Sequence, residues 1–245
     1  MTPRLPPANS RGTVGIARRD IVALARLSTP RVCDALEHLA PERRTAGHTV
    51  RPLDCAMPGL AAVCGHARTA LVSTAMSEAG PGGGPDGTLA AWLEHLAAGP
   101  KPVVVVWQDV DGADGIGSCW DAPTAAAHQA LGCVALLTDG AVRDIGRLPP
   151  DMQVLHRGTR PARGWPRIVA FGREAAVAGM VVRDGDILHV DRHGAVAVPP
   201  HTLHDIADAV AAASRRDAAL LDACRRDPPA SAGLRHLLTD TPVSR

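Results

Sequence analysis

The sequence predicts an α/β fold, and three observations carry the prediction. Four consecutive valines at positions 103–106 read as a strand buried on both faces, the pattern of a parallel strand covered by helices. A helix opened by Asp121 and Pro123 follows over 124–131, and a second apolar run occupies 133–137. Strand, helix, strand in that order predicts a right-handed βαβ unit. Third, the second run ends in Thr138-Asp139-Gly140, a turn that delivers Arg143 and Asp144 side by side.

The chain has 245 residues, enough for one large domain with a sizeable core. Its apolar residues are mainly Ala, Val and Leu; there is no Tyr, and Phe171 is the only Phe. A net charge of +1 without a basic stripe, and few aromatics, argue against nucleic-acid binding. The six cysteines form no CxxC pair and several sit in apolar runs, so free buried thiols are expected. No apolar run reaches the ~20 residues that span a bilayer. The Pro- and Arg-rich start lacks the apolar region of a secretory signal. A soluble cytoplasmic protein is the expectation.

Taken in order, residues 1–17 read as a flexible tail and 18–27 as a short helix. Thr29 and Pro30 read as the cap and first residue of the next helix, with Val32, Leu36 and Leu39 at helical spacing. Asp34 on that helix is expected to be solvated or capping. A strand is expected over 58–72, bulged at Gly65. The stretch GPGGGPDG at 80–87 reads as a flexible loop with the wrong spacing for a phosphate cradle. Thr88 caps a helix with Leu89, Trp92, Leu93 and Leu96 on one face, stopped by Gly99-Pro100. The Asp- and Gly-rich loop 109–115 lacks the glycine position and closing glutamate of a calcium loop. Further strands are expected at 154–159, 177–182, 187–190 and 196–198, then a helix over 203–225. His189, Asp191 and His193 alternate along one strand; a solvent-facing edge is expected, with a metal-ligand set as the alternative.

Arg143 and Asp144 are the candidate chemistry. A guanidinium grips a carboxylate with two hydrogen bonds, and an aspartate is a hard oxygen ligand for Mg²⁺ or Mn²⁺. One anionic substrate could touch both. The competing reading is an ordinary turn followed by a surface ion pair of little worth.

The turn 139–144, Asp-Gly-Ala-Val-Arg-Asp, resembles the signature of the RraA-like proteins, which include class II pyruvate aldolases. Residues 27–36, the strand Gly65-His66-Ala67-Arg68-Thr69, and 181–186 with Asp191 and Gly194 resemble the family's other motifs in the same order. The resemblance covers about 27–199. It implies a layered α/β sandwich around a small β-barrel-like core, with N- and C-terminal helical extensions. The catalytic domain would be 18–200, and 201–245 a helix and tail packing between subunits of a homotrimer or homohexamer. It implies Mg²⁺ or Mn²⁺ at Asp144, Arg143 on a 2-oxo acid, and cleavage or decarboxylation through a pyruvate-type enolate.

The chain departs from the family pattern at the helix start. The family's acid, twenty-one positions before the arginine, falls at Ala122 here, with Asp121 one place earlier. Either the catalytic acid has slipped to Asp121, or Asp121 is only the helix cap. The family also cradles the substrate carboxylate on backbone N–H groups here, which assigns Ala122 and Thr124 to substrate binding; Pro123 among them has no N–H. Asp217 is the nearest match to a glutamate lent by a neighbouring subunit, with a solvated charge run as the alternative. His193 replaces an acid of the family's closing motif. Three functions follow in order of expectation: a metal-dependent lyase on a small 2-oxo acid, an enzyme of the same fold with a different substrate, and a non-catalytic binding protein. No glycine-rich strand-to-helix turn for S-adenosylmethionine is present.

Overall fold

The computed structural model describes residues 17–75, 88–112, 115–225 and 235. Five helices are described: α1 (Arg18–Leu24), α2 (Thr29–Leu39), α3 (Thr88–Ala98), α4 (Ala122–Ala130) and α5 (Ile206–Cys224). The first seven strands are β1 (Asp54–Cys55), β2 (Val63–Ser73), β3 (Val103–Asp109), β4 (Ser118–Trp120), β5 (Cys133–Thr138), β6 (Ala141–Val142) and β7 (Gln153–His156). The others are β8 (Gly158–Thr159), β9 (Arg167–Phe171), β10 (Ala175–Val177), β11 (Met180–Val182), β12 (Ile187–Asp191) and β13 (Gly194–Ala197).

The main sheet runs β1-β7-β5-β3-β2-β12-β13, and β9 pairs with β2 as well. β2, β3, β5 and β7 are parallel, as the two apolar runs predict. The first half of β2 pairs with β12 and its second half with β9, so the sheet forks along one strand and curls into a half-barrel. A three-stranded parallel sheet, β4-β6-β8, lies beyond it. Each of its strands is entered from the C-terminal end of β3, β5 or β7 through a connecting segment.

The four valines of β3 are fully buried, because apolar clusters cover both faces of the sheet. On one face α3 and α4 pack over Val103, Val105 and Leu136. On the other, β10 and β11 cover Val104, Val106 and Leu137. A third cluster packs α1, α2 and α5 on β12 and β13.

Several elements differ from expectation for identifiable reasons. α2 is capped at Ser28 rather than Thr29; Thr29 is drawn into the helix because its N–H donates to Asp191 Oδ2 at 2.8 Å. β2 passes Gly65 without a bulge, and the irregularity lies between Leu71 and Val72. Gly65 serves close packing instead, since a Cβ there would sit 2.7 Å from the Pro102 carbonyl. Leu89 is 62 % exposed, while Trp92 and Leu96 carry the buried face of α3. The stretch 177–182 is a hairpin turn rather than one strand. Ala178 and Gly179 both have positive φ, 49° and 84°, the signature of a type I′ turn joining β10 to β11. His189 and Asp191 are buried, not solvent-facing: Thr29 binds both, through its hydroxyl and its N–H. The glycine-rich stretch 80–87 lies outside the described residues. All six cysteines are free thiols; Cys64 and Cys133 are buried as expected, whereas Cys33, Cys55 and Cys119 are half-buried and Cys224 is exposed.

Candidate functional site

The site is built where α4 and β6 begin and end beside one another. β4 and β6 are parallel neighbours, so Asp121, just past β4, comes alongside Arg143, just past β6. The Arg143 N–H donates to the Trp120 carbonyl at 3.0 Å, which fixes that register. Its Nη1 donates to the Pro161 carbonyl at 3.2 Å. Its Nε lies 3.4 Å from Asp121 Oδ2 and 3.7 Å from Asp144 Oδ2, yet is buried without a well-aligned hydrogen bond. Arg143 thus sits between two carboxylates with donor capacity to spare.

Asp144 adopts the left-handed conformation, φ 56° and ψ 37°. Non-glycine residues rarely do so, although aspartate tolerates it best. Such strain persists where the surroundings impose it, and it gathers at functional positions. Here it turns an exposed carboxylate outward beside the arginine.

Asp121 is the N-cap of α4, with only 4 % of its side chain exposed. Oδ1 accepts from the Thr124 hydroxyl at 2.8 Å and the Thr124 N–H at 3.1 Å. Oδ2 faces Arg143 and receives Arg163 Nη2 in a close ion pair. Burial opposes the charge, but the Thr124 bonds and then the two guanidiniums outweigh it, holding the carboxyl below its usual range. Oδ1 is thus taken by Thr124 and Oδ2 by Arg163, with Arg143 at longer range. Asp121 is therefore helix cap and arginine brace; the cap is one of the two alternatives that the sequence left open, and the brace is a role it did not suggest.

The helix start offers little to an anion. Pro123 has no N–H, the Thr124 N–H is taken by Asp121, and that of Ala125 bonds the Asp121 carbonyl. The Ala122 N–H is the one in this turn with no partner among the described residues. Sequence reasoning missed Arg163. Its segment carries Arg157, Arg160, Arg163 and Arg167, and each lowers the pKa of a different aspartate: Asp139, Asp109, Asp121 and Asp111 in turn. For Asp109 and Asp139 burial dominates and leaves both carboxyls raised. For Asp111, hydrogen bonds from Thr74, Ser73 and Ala75 outweigh burial and leave it lowered. The near-threefold spacing of those arginines was the available signal.

Beneath the site lies an aromatic cluster of Trp92, Trp107, Trp120 and His128. The Trp92 indole N–H donates to His128 Nε2 at 3.0 Å, so Nδ1 carries the proton and donates to the Thr124 carbonyl at 2.8 Å. Burial pushes His128 down to about 4. This link ties α4, and with it Asp121, to α3.

Among the described residues no group of three or more His, Cys, Asp or Glu converges as a metal site. Asp121 is buried and occupied by Thr124 and Arg163, which leaves Asp144 as the exposed carboxylate of the site. A single hard oxygen ligand fits Mg²⁺ or Mn²⁺, which keep several waters, and does not fit zinc. Asp217 pairs with Arg31 of its own chain, and His193 with Asp191.

A family model described as RraA-like, Aldolase/RraA, matches residues 29–197. The chain belongs to the RraA-like family. Among solved structures, this RraA-like chain is similar to an uncharacterized protein from Pseudomonas syringae pv. tomato str. DC3000, with TM-score 0.69 and 18 % identity, over 95 % of this chain and 99 % of that one. It is also similar to Streptomyces coelicolor RraAS2, described as an unusual member of the RNase ES inhibitor RraA protein family. There the TM-score is 0.63 and identity 22 %, over 83 % and 96 % of the two chains. A Thermus thermophilis protein described as the RNA-processing inhibitor RraA gives TM-score 0.50 and 18 % identity, over 67 % and 90 %. At these identities the likeness establishes the fold. No curated protein matches. The family holds both aldolases and RraA regulators. Among the described residues no helix is long and apolar enough to cross a membrane.

Proposed function

We propose that this RraA-like chain is a divalent-metal-dependent lyase that cleaves or decarboxylates a small 2-oxo acid through a pyruvate-type enolate. One observation carries the reading. Arg143 and a strained, outward-turned Asp144 stand together at a strand end, with Asp121 bracing the arginine from behind.

Arg143 binds the substrate carboxylate or keto oxygen with its spare donors. As C–C cleavage delivers an electron pair toward the carbonyl, negative charge grows on that oxygen. A guanidinium already fixed beside it favours the transition state over the ground state. Asp144 would hold Mg²⁺ or Mn²⁺, which supplies Lewis-acid stabilisation of the same oxygen. Asp121 keeps Arg143 in place, and the Ala122 N–H gives one backbone donor; the Thr124 N–H serves Asp121 instead. Assembly as a homotrimer or homohexamer belongs to the same proposal. Each chain offers one metal carboxylate facing outward, which leaves room for a neighbour to complete the site. Six free thiols agree with a reducing cytoplasm.

The test is pyruvate release from oxaloacetate and 4-hydroxy-2-oxo acids, with Mg²⁺ or Mn²⁺ and with EDTA. Metal-dependent turnover of any of them supports the reading; none, with metal bound, rejects it. A second reading, the same fold with a different substrate, is favoured by the depleted helix start at Pro123 and Thr124. Metal binding alongside inert 2-oxo acids would select it.

A further inference from the structure

Arg163 sits on a segment whose path is fixed by two glycines. A Cβ at Gly117 would lie 2.0 Å from the Arg163 carbonyl, so only glycine lets the segment pass there. Gly164 has φ +63°, and a Cβ on it would lie 2.6 Å from the Thr74 carbonyl. Backbone bonds from Ser118 N–H to the Ala162 carbonyl at 3.0 Å and from Trp165 N–H to the Thr74 carbonyl at 2.9 Å pin both sides. The fold therefore lays Arg163 against β4 with little freedom, and its side chain closes on Asp121 Oδ2. Asp121 is the atom-by-atom link between two guanidiniums, since the same oxygen faces Arg143 Nε at 3.4 Å.

That geometry has a consequence for Arg143. A buried carboxylate with one cationic partner draws that partner into a tight pair; with two, its charge is shared. Arg163 takes the close contact with Oδ2. Arg143 is left at a longer distance: its buried Nε makes no aligned bond to Asp121, and the exposed part of its guanidinium stays open to a ligand rather than being drawn inward. The Arg163 side chain itself is 50 % exposed, so its role does not depend on burial of its own charge.

We propose that Arg163 is a positioning residue: by occupying Asp121 it keeps Arg143 free to bind an anionic substrate. The proposal rests on the 2-oxo-acid reading for the choice of probe. That probe is oxalate, a planar dicarboxylate shaped like a pyruvate enolate, titrated calorimetrically into the full chain with Mg²⁺ present. Arg163→Met keeps the aliphatic stem and removes the charge. It should weaken oxalate binding about tenfold, the scale of one charge-assisted hydrogen bond. Arg163→Lys should stay within about threefold of wild type, because a cation still meets Oδ2. In an Asp121→Asn background, Arg163→Met should add less than about twofold, since two residues acting through one contact are not additive.

Unchanged binding in Arg163→Met, failure of lysine to rescue, or additive losses in the double variant would each overturn the proposal. So would absence of oxalate binding by the wild type. Melting temperatures of all variants are measured alongside, and Arg163→Lys carries the comparison if Arg163→Met does not fold. Oxalate binding with the expected pattern but no 2-oxo-acid turnover leaves the proposal standing and removes only the lyase reading.

Discussion

Replacing His128 with leucine tests the link that holds the site's helix. His128 is 2 % exposed and neutral, accepting from Trp92 and donating to Thr124. At pH 7.5 His128→Leu strands the Trp92 indole N–H, which costs about 1–3 kcal/mol. The pH dependence is the sharper signature. The histidine titrates near 6.5 when unfolded and is held down to about 4 when folded. Below pH 6.5 the unfolded chain takes up a proton that the folded chain refuses, so wild-type stability falls as pH falls. The loss is about 1.4 kcal/mol per pH unit, hence about 2 kcal/mol by pH 5 and about 3 kcal/mol by pH 4. Leucine has no such loss. The gap between wild type and His128→Leu should therefore close, and can reverse, between pH 6.5 and 4. Other titrating groups are common to both proteins and cancel in the difference. Urea unfolding followed by tryptophan fluorescence at pH 7.5, 6, 5 and 4.5 measures it. A gap that is constant across that range would refute the assignment of a buried neutral His128.

Three further outcomes are expected. Asp144→Asn should leave the melting temperature within a few degrees and lower metal-stimulated turnover by roughly 100-fold or more, read from pyruvate release against Mg²⁺ concentration. Gly117→Ala should destabilise by about 1–3 kcal/mol in chemical denaturation, because the added methyl meets the Arg163 carbonyl rather than a movable side chain. Leu96→Ala should cost about 2–5 kcal/mol, whereas Leu89→Ser, at an exposed position, should stay within about 0.5 kcal/mol; comparable losses would contradict the assigned faces of α3.

The sheet was legible because its signal is local. Four valines in a row and a second apolar run after a helix suffice for parallel strands buried on both faces, and both runs pair as expected. The hairpin at 177–182 was not legible as a turn, because Ala178 carries no mark of its positive φ. His189 and Asp191 misled for a different reason. Alternation distinguishes two faces but does not say which is covered, and here α2 arrives from 160 residues away to bond the polar one.

The candidate site divides along the same line. Arg143 and Asp144 are neighbours in the chain, so their pairing could be read directly from the turn at Asp139-Gly140. Asp121 could be read as a cap or a displaced catalytic acid but not as a brace for Arg143, because that role depends on which side chains reach Oδ2. Arg163 could not be placed at all. What carries it to Asp121 is the absence of a side chain at Gly117 and the backbone conformation of Gly164, together with bonds to Thr74 on another strand. Glycine marks a close approach without naming what approaches. The charge census at this edge follows from that. Four arginines of one segment act electrostatically on four aspartates contributed by the end of β3 and the loop after it, the turn after β5 and a helix cap, and the net field at Arg143 is a difference between these pairs rather than a property of any one motif. A change on the arginine segment should therefore alter anion binding at Arg143 without touching the Asp-Gly-Ala-Val-Arg-Asp turn, although that turn is the part of the site most visible in the sequence.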